Sequence, residues 1–276
     1  MTQPQTGVAA IYGAELFYEV SGTGPALVML HGHLLNLHQW DDQVAEFAAD
    51  HTVVRYDARG FGQSTLPPEP FNHAADLHAL LGFLGIERAV LMGCSNGGAA
   101  SIDFALQHPE MVAGLILVGS AMAGYEPSGG VPPELITIRQ EMDEALGRGD
   151  IAHGVELTLR VFTDGQNRRP EQVNQAVRER TRAMSTALFS RPPVAGAEAQ
   201  PYIADATTRL GEIRVPILLV VGTEDNQLIH EVATLIVERA PNVQQALIPD
   251  AGHHPNMEHP EQFNGLVRAF LQENGL

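Results

Sequence analysis

The stretch Gly93-Cys94-Ser95-Asn96-Gly97-Gly98 decides the fold of this chain. An apolar run at 89–92 (AVLM) leads into it, and small residues at 99–101 (AAS) follow, which predicts a strand, a sharp turn and a helix. Glycines two residues before and after Ser95 lack Cβ atoms, so strand and helix can approach closely around a strained turn. The free N–H groups at the helix start, beginning with Asn96, favour a developing negative charge beside the serine hydroxyl.

Composition limits the classes of protein to which the chain can belong. Its 276 residues suffice for one large core, so we expect one domain with an insertion. The formal net charge of −17 repels nucleic acid and anionic membrane surfaces, and we predict neither as a partner. Arginines within 178–182 alternate with Glu179 at helical spacing, which predicts a solvated helix face rather than a binding patch. The chain has no lysine, which excludes Schiff-base and lysine-nucleophile chemistry.

The cysteine count and the first residues predict the compartment. The single cysteine, Cys94, cannot form an internal disulfide, which is typical of a reducing compartment. The opening residues MTQPQ carry neither positive charge nor an apolar stretch, and every apolar run is too short to span a bilayer. We therefore expect a soluble cytoplasmic protein, either a monomer or a homodimer, that does not bind membranes.

Apolar runs alternate with helical patterns along most of the chain. Such runs are typical of strands buried on both faces of a parallel sheet, with helices on either side. A hairpin is predicted around residues 11–20, and the apolar runs lie at 25–30, 52–56, 89–92, 114–119, 216–221 and 244–248.

The alternation stops between residues 120 and 216, where helical patterns replace the strands. Three apolar stripes predict three helices, which start near residues 134, 151 and 171, with Asp150 and Pro170 as helix-start residues. Helices inserted between two strands lie at the carboxyl edge of the sheet, so we expect them to form a lid over that edge.

Polar side chains follow the strands at this edge, where open parallel sheets gather functional groups. Ser95, Asp225 and His253 occur in that order, each just after a strand. A serine hydroxyl becomes a nucleophile when an imidazole takes its proton and a carboxylate orients that imidazole. With this order and these positions, the chain resembles the α/β-hydrolase family over residues 14–271.

The resemblance implies a role for each of these groups. Ser95 is the nucleophile, His253 the base and Asp225 the acid, and the backbone N–H groups of His33 and Asn96 form the oxyanion hole. Losing one such donor typically costs about 2.7–4 kcal/mol of transition-state stabilisation. The fold implied is an α/β-hydrolase core at 1–122 and 208–276, a mostly parallel sheet flanked by helices, with an all-helical cap at 123–207 inserted after the sixth strand.

Two triad assignments have a neighbouring alternative. Glu224 precedes Asp225, and the shorter carboxylate is the family habit at this place. His254 follows His253, and we expect His254 to face the pocket wall instead. No H-x-x-x-H or C-x-x-C spacing accompanies a carboxylate cluster, so we predict no metal and no cofactor.

Other residues near the strand ends have structural interpretations. We expect Asp57 to brace its loop by pairing with Arg59, and the His33 side chain to hydrogen-bond to backbone. We expect Trp40 to pack under the oxyanion segment and Cys94 to fill space.

The family leaves the reaction open, because one scaffold serves many chemistries. Ser95 stands where dehalogenases and epoxide hydrolases use aspartate, so the resemblance favours a hydrolase of a small carboxylic ester or lactone. A cofactor-free perhydrolase or haloperoxidase, a C–C bond hydrolase and, outside enzymes, a small-ligand receptor are the alternatives. We expect a neutral substrate, with neither Arg139 nor Arg160 facing inward. Candidate pocket residues are Leu34, Met122, Met142, Phe162, Met184, Leu188, Leu228 and His254.

Overall fold

One eight-stranded sheet forms the centre of the structure. The computed structural model describes residues 4–127, 129–165, 167–200, 203 and 205–276. The strands are β1 Gln5–Ile11, β2 Ala14–Ser21, β3 Ala26–Leu30, β4 Thr52–Tyr56, β5 Ala89–Cys94, β6 Val112–Val118, β7 Ile217–Gly222 and β8 Val243–Ile248.

The topology of the sheet places the carboxyl ends of its parallel strands at one edge. The strand order is β1-β2-β4-β3-β5-β6-β7-β8. The pairs β1/β2 and β2/β4 are antiparallel, and all other neighbours are parallel. The predicted mostly parallel sheet is therefore confirmed. Because β3 to β8 run in one direction, the residues after each of them meet at one edge.

The amino-terminal hairpin closes through a two-residue turn. Tyr12 and Gly13 both have positive φ angles, 45° and 77°. Two successive positive φ values are typical of the type I′ turn, whose twist matches that of paired strands. The predicted hairpin is confirmed.

Helices cover both faces of the sheet. Phe47, Phe263 and Phe270 join a buried cluster on one face, and Leu77 and Phe104 join a cluster on the other. None of the helices in the described ranges combines the length and the apolar character that a bilayer crossing needs. The helices are α1 Asp41–Phe47, α2 His73–Leu84, α3 Asn96–Gln107, α4 Pro133–Gly147, α5 Ile151–Thr158, α6 Gln175–Phe189, α7 Ala206–Arg209, α8 Gln227–Arg239, α9 Pro255–Glu258 and α10 Pro260–Asn274.

Helices α4, α5 and α6 occupy the long connection between β6 and β7. The Asp150 side chain accepts from the His153 N–H at 3.2 Å and so caps α5, as predicted. Helix α5 continues as a π-helical turn over Leu159–Asp164. The predicted start at Pro170 is wrong for α6, because Pro170 begins only a short 3₁₀ turn and extended Val173 ends it. Helix α6 starts at Gln175, after the Asn174 cap.

The arginines of α6 do not form a solvated face, contrary to the sequence prediction. Arg178 is buried, with its Nε 2.7 Å from Asp164 Oδ1 and its Nη2 2.8 Å from Glu156 Oε1. Arg180 donates to Asp42 on α1 at 2.8 Å. Helical spacing shows which residues share a face, but the acidic partners come from distant segments. These ion pairs therefore tie α6 to α5, to the π-helical turn and to α1.

Candidate active site

Ser95 lies in a strained turn between β5 and α3. Its backbone angles are φ 52° and ψ −114°, and such a positive φ is uncommon outside glycine. The Ser95 N–H donates to the Val118 carbonyl at 3.0 Å. The Ser95 carbonyl accepts from the N–H groups of Ala99 at 3.0 Å and Ala121 at 3.1 Å. Three backbone hydrogen bonds thus hold the turn, and Ser95 stays partly exposed at the carboxyl edge of the sheet.

The glycines around Ser95 are required by close backbone approaches. A Cβ atom at Gly93 would collide with the Gly97 carbonyl, and one at Gly97 would collide with the Leu30 carbonyl. A Cβ atom at Gly32 would lie 3.5 Å from the Ser95 Cβ. The segment that follows β3 therefore lies directly beside Ser95.

His253 and Asp225 form a buried hydrogen-bonded pair at the ends of β8 and β7. His253 Nδ1 lies 2.8 Å from Asp225 Oδ2. The other carboxylate oxygen accepts from the Asn226 N–H at 2.7 Å and from the Asn226 side-chain amide at 3.1 Å. An ionised carboxylate only accepts, so Nδ1 carries the proton and Nε2 keeps its lone pair. That Nε2 atom is buried and has no hydrogen-bond partner among the described residues.

Glu224 and His254, the neighbouring alternatives, have different surroundings. Glu224 accepts from the Asn167 side chain at 3.1 Å and makes no hydrogen bond to His253. His254 is buried, and its ring centroid lies 5.3 Å from that of His253. Burial, together with His253 and Arg180, holds the pKa of His254 well below its usual value. His254 is therefore a neutral ring packed against the His253 ring.

The segment after β3 carries the predicted oxyanion residue. The turn from Gly32 closes through a hydrogen bond from the Leu35 N–H to the Gly32 carbonyl at 3.3 Å, and Leu34 has a φ of 72°. Asn96 is the first residue of α3, so its N–H has no partner four residues earlier within the helix. The backbone N–H groups of His33 and Asn96 belong to two segments that flank Ser95.

The histidine that bonds to backbone here is His31, which corrects the expectation for His33. The His31 Nδ1–H donates to the Gly32 carbonyl at 2.8 Å, and His31 Nε2 accepts from the Ala58 N–H at 3.0 Å. Burial lowers the pKa of His31 to about 4, so the ring stays neutral. His33 is exposed, and its ring meets the Phe61 ring edge-on at 5.4 Å between centroids.

Asp57 braces its loop, but not through Arg59 as expected. Asp57 accepts from the backbone N–H groups of Leu37 at 2.9 Å and Gln63 at 2.6 Å. Arg59 instead forms a buried ion pair with Asp76 of α2 at 2.6 Å. The Asp57 carboxylate, just after β4, thus fixes two loops, whereas the Arg59 guanidinium pairs with a carboxylate on α2.

Trp40 and Cys94 are both buried in the core cluster behind the site. Burial raises the pKa of the Cys94 thiol to about 12, so the thiol remains protonated. Cys94 fills space beside Ser95, as expected.

The π-helical turn after α5 contacts the His253 loop directly. The His253 N–H donates to the Phe162 carbonyl at 2.9 Å, and the Phe162 ring lies 5.3 Å from the His253 ring. The preceding N–H, that of Gly252, donates to Glu258 Oε1 at 2.7 Å. Two successive N–H groups of the loop are thus held by groups outside it.

Arg168 connects the π-helical turn to the His253 loop. We call the ion pair of Arg168 with Glu258 the clamp. The Arg168 guanidinium pairs with the Glu258 carboxylate at 2.7 Å, and both side chains are at most 10% exposed. It also donates to the carbonyls of Thr163 and Asp164 in the π-helical turn, each at 2.8 Å, and to the Asp250 carbonyl in the His253 loop. The clamp therefore fixes the π-helical turn and the His253 loop relative to each other.

Comparison with known proteins identifies the family. A family model described as alpha/beta hydrolase fold matches residues 25–260. This chain belongs to the α/β-hydrolase family. The 2-hydroxy-6-oxononadienedioate/2-hydroxy-6-oxononatrienedioate hydrolase of Burkholderia vietnamiensis is 32% identical, over 94% of this chain and 92% of the relative.

Two solved structures give the same family with different activities. Est816, an N-acyl homoserine lactone degrading enzyme, has a TM-score of 0.74 and 29% identity over 96% of this chain and all of that one. A thermophilic esterase from Thermogutta terrifontis has a TM-score of 0.75 and 28% identity over 99% of both chains. The relatives of this α/β-hydrolase thus include hydrolases of esters and lactones.

A cleft opens beside the segments that flank Ser95. Its water-accessible volume is about 20 Å³, room for about one water molecule, and its walls include Gly32, Asn96 and Gly97. Three histidines line it, yet no group of three or more His, Cys, Asp and Glu within the described residues is arranged to hold a metal ion. The side chains at its walls are His31, His33, Tyr56, Phe61, His73 and Asn96.

None of the eight predicted pocket residues lines this cleft. Phe162 and His254 lie instead against the His253 ring. Met184 is packed in a small core cluster with Leu35, Val177 and Met257, and Met122 is buried in the main core. The Met142 sulfur accepts from Thr158 at 3.4 Å, between α4 and α5. Leu34 is buried, and Leu188 and Leu228 are partly buried. A lining role for these residues remains a prediction.

Sequence reasoning missed Arg168, Glu258 and His73. Arg168 and Glu258 are 90 residues apart, and neither lies in a pattern that indicates a buried pair. His73 precedes the apolar stripe of α2 and lies in none of the motifs that the sequence analysis identified. Its signal is an unusual histidine at the first position of a helix that follows a strand end of the sheet.

Proposed function

We propose that this α/β-hydrolase cleaves a small carboxylic ester or lactone through a covalent acyl-enzyme. The proposal rests on the 2.8 Å hydrogen bond between Asp225 and His253, which leaves the buried Nε2 of His253 unpaired. Ser95 lies in the turn that follows β5, at the same edge of the sheet as the residues that follow β7 and β8. A nucleophile, a base and an orienting acid are the three groups that acyl transfer to serine needs.

In the proposed mechanism, Ser95 Oγ attacks the carbonyl carbon of the substrate while His253 Nε2 takes the hydroxyl proton. The negative oxygen of the tetrahedral intermediate accepts hydrogen bonds from the backbone N–H groups of His33 and Asn96. Collapse of the intermediate breaks the bond to the leaving oxygen, which receives the proton from His253. Water then repeats both steps on the acyl-enzyme, releasing the acid and restoring Ser95.

We also propose that residues 123–207 form the cap, with the core at 1–122 and 208–276. The contacts that support this are the Phe162 carbonyl on the His253 N–H and the Asn167 amide on Glu224. Both place the connection between β6 and β7 against the residues that follow β7 and β8. A helical insertion there would exclude water from the substrate.

The substrate is proposed to be uncharged. Arg160 is engaged, since its Nη1 lies 3.1 Å from Asp164 Oδ2, and Arg178 is engaged with the same carboxylate. Arg139 has no ion pair with any described residue, but it is exposed, so water screens its charge from a bound anion. Desolvation and the charge of Arg139 lower the pKa of His33 in the cleft wall, so Arg139 is the cation that an anionic substrate would have to use. An anionic group buried in the site would need such a partner to offset its lost hydration.

A C–C bond hydrolase is the second candidate. The observation that favours it is the 32% identity to a hydrolase of 2-hydroxy-6-oxo dienedioates. Both reactions would use the same Ser95 and His253, so the substrate must distinguish them.

Covalent labelling tests the first proposal. A fluorophosphonate should label Ser95 of the wild-type protein, identified by peptide mass spectrometry, and should leave the Ser95→Ala variant unlabelled. Labelling at another residue would reassign the nucleophile, and no labelling of the folded protein would favour a ligand receptor.

A substrate panel then compares kcat/KM for neutral esters, neutral lactones, anionic lactones and a 2-hydroxy-6-oxo dienedioate. We expect neutral esters or lactones to be the best substrates. If the anionic compounds lead by a hundredfold, about 2.7 kcal/mol of differential transition-state binding, then Arg139 faces the substrate and the uncharged class is wrong. Preference for the dienedioate would favour the second candidate.

A further inference from the structure

We propose that Asn226 positions the carboxylate of the proposed acid, Asp225, and so helps to hold the His253 ring in its working tautomer. Asn226 acts through Asp225 and not on the substrate, so it is a positioning residue. The proposal rests on the proposed hydrolase function and deepens it by naming the side chain that orients the acid. Its observations are the burial of Asp225, the donors to its two oxygens and the double engagement of the Asn226 amide.

The Asp225 carboxylate is fully buried and relies on few donors. Its side chain is 0% exposed, and a buried ionised carboxylate needs hydrogen bonds to replace its lost hydration. The His253 ring lies 2.8 Å from Oδ2 through Nδ1. Oδ1 accepts from the Asn226 N–H at 2.7 Å and from Asn226 Nδ2 at 3.1 Å. Within the described ranges, two of the three donors to this carboxylate therefore come from Asn226.

The Asn226 side chain restricts rotation of the Asp225 carboxylate. The terminal torsion of an aspartate is broad, so its carboxylate turns easily when few bonds hold it. Hydrogen bonds to an ionised carboxylate are stronger than bonds between neutral groups. Two donors on Oδ1 resist that rotation better than one, and Oδ2 then stays directed at His253 Nδ1. Loss of the amide donor would leave Oδ1 with the Asn226 N–H alone.

The other end of the Asn226 amide is tied to the start of α8. Asn226 is the N-cap of this helix, and its Oδ1 accepts from the Ile229 N–H at 3.3 Å. A flipped amide would place its oxygen against the Asp225 carboxylate and its NH₂ group against the Ile229 N–H. Both contacts would be repulsive, so the amide has one favourable orientation. The start of α8 therefore holds the amide donor in place against Asp225.

A second asparagine cap separates this role from helix capping alone. Asparagine is a favoured N-cap residue, so capping by itself would account for an asparagine at the start of α8. Asn174 caps α6 in the same manner, because its Oδ1 accepts from the Ala176 N–H at 2.9 Å. Asn174 is exposed, whereas Asn226 is buried and its amide nitrogen donates to Asp225. Asn174 is therefore a matched control for the cap.

The first test measures how fast a fluorophosphonate labels Ser95, which reports the activation of Ser95 by His253 whatever the natural substrate is. Asn226→Ser and Asn226→Asp both keep an oxygen for the cap but lack the amide donor. Asn226→Ser should lower the second-order labelling rate about tenfold, or about 1.4 kcal/mol of activation free energy. Asn226→Asp should lower it at least as much, because its carboxylate repels that of Asp225. Asn174→Ser should stay within about twofold of wild type.

Proton NMR and melting temperatures separate positioning from fold stability. The proton between His253 Nδ1 and Asp225 resonates far downfield, and this resonance should shift or broaden in Asn226→Ser. It should be unchanged in Asn174→Ser. The melting temperature of Asn226→Ser should remain close to that of wild type, because serine replaces the cap of α8. If Asn226→Asp fails to fold, then Asn226→Ser decides the comparison alone.

The outcomes distinguish this proposal from the proposed function. Labelling of Asn226→Ser at the wild-type rate overturns the role of Asn226 and leaves the hydrolase proposal standing. Slower labelling with an unchanged downfield resonance shows that Asn226 supports the fold without orienting Asp225, and it also overturns the role. Failure of the wild-type protein to label at Ser95 overturns the proposed function itself. In that case the downfield resonance still decides whether Asn226 orients Asp225 towards His253.

Discussion

The serine side and the histidine side of the site are held in different ways. Ser95 is fixed by three backbone hydrogen bonds, which join it to Val118 at the end of β6, to Ala99 in the first turn of α3 and to Ala121 just after β6. His253 is fixed from outside its own loop, by the Phe162 carbonyl and by the clamp of Arg168 and Glu258. The proposed nucleophile, Ser95, is thus preorganised by the core, whereas the proposed base, His253, depends on the connection between β6 and β7. Substitutions that act on one side only can separate these two supports.

Removal of the proposed nucleophile should give the largest effect. Ser95→Ala should lower kcat/KM for ester hydrolysis by about 10⁴-fold or more, because only oxyanion and binding contributions remain. The fold should persist, since the bonds that hold the turn come from backbone atoms. Steady-state assays and circular dichroism check both expectations. Wild-type turnover in a folded Ser95→Ala variant contradicts the assignment.

The serine side could be predicted from sequence because its determinants are local. The glycines at 93 and 97 stand where a Cβ atom would collide with backbone, and a short pattern of residues encodes that requirement. The strands were predicted for a similar reason, since burial on both faces demands continuous apolar runs. Asp225 and His253 followed from their places after β7 and β8.

The histidine side could not be predicted to the same depth, because its contacts join segments far apart in sequence. Arg168 contacts Glu258, which lies 90 residues later in the sequence. Arg59 pairs with Asp76 and not with Asp57, which is nearer in sequence. Helix α6 starts at Gln175 and not at the predicted Pro170, because the backbone of Val173 is extended. Such choices depend on tertiary geometry, which a periodic pattern does not record.

Removal of the proposed orienting acid should have the second-largest effect. Asp225→Asn should lower kcat by about 10⁴-fold, because the asparagine amide favours the wrong imidazole tautomer. Glu224→Gln, which alters only the contact to Asn167, should retain most activity and serves as the matched control. Comparison of kcat for the two variants decides the assignment. A larger loss in Glu224→Gln would make Glu224 the acid.

Breaking the clamp should weaken the histidine side and spare the serine side. Arg168→Gln leaves the Glu258 carboxylate buried without its cation, and loss of one partner of a buried pair typically costs about 3–5 kcal/mol. We expect a lower melting temperature and a kcat lower by about tenfold or more, with KM little changed, because His253 loses its fixed position. Arg169→Gln, at the adjacent exposed arginine, should change neither quantity.

A double variant shows whether the clamp acts as a unit. Arg168→Gln combined with Glu258→Gln removes both charges and should be more stable than Arg168→Gln alone. Additive losses in melting temperature would argue against a coupled pair. A melting temperature that falls while kcat stays at the wild-type value would show that the clamp supports the fold without positioning His253.

The smallest effect concerns pH and the His73 ring in the wall of the cleft beside Ser95. The pKa of folded His73 is about 4, below the ordinary value of 6.5, so unfolding between these pH values is accompanied by proton uptake at this residue. The stability that the neutral ring contributes is therefore present above pH 6.5 and is lost as pH falls towards 4. Because Asp57, Asp76 and Glu258 have raised pKa values with the opposite dependence, the whole protein mixes these terms.

The difference between wild type and His73→Phe isolates the contribution of this one ring. Urea unfolding at pH 7.5, 6, 5 and 4.5 should give a free-energy difference that shifts in favour of His73→Phe by at most about 3 kcal/mol as pH falls. His78→Phe, measured in the same series, corrects for the general effect of placing phenylalanine on α2. A difference that stays constant over this range would mean that His73 titrates alike in the folded and unfolded chains. In that case the ring is freely hydrated, and the serine side is more open to water than the cleft geometry indicates.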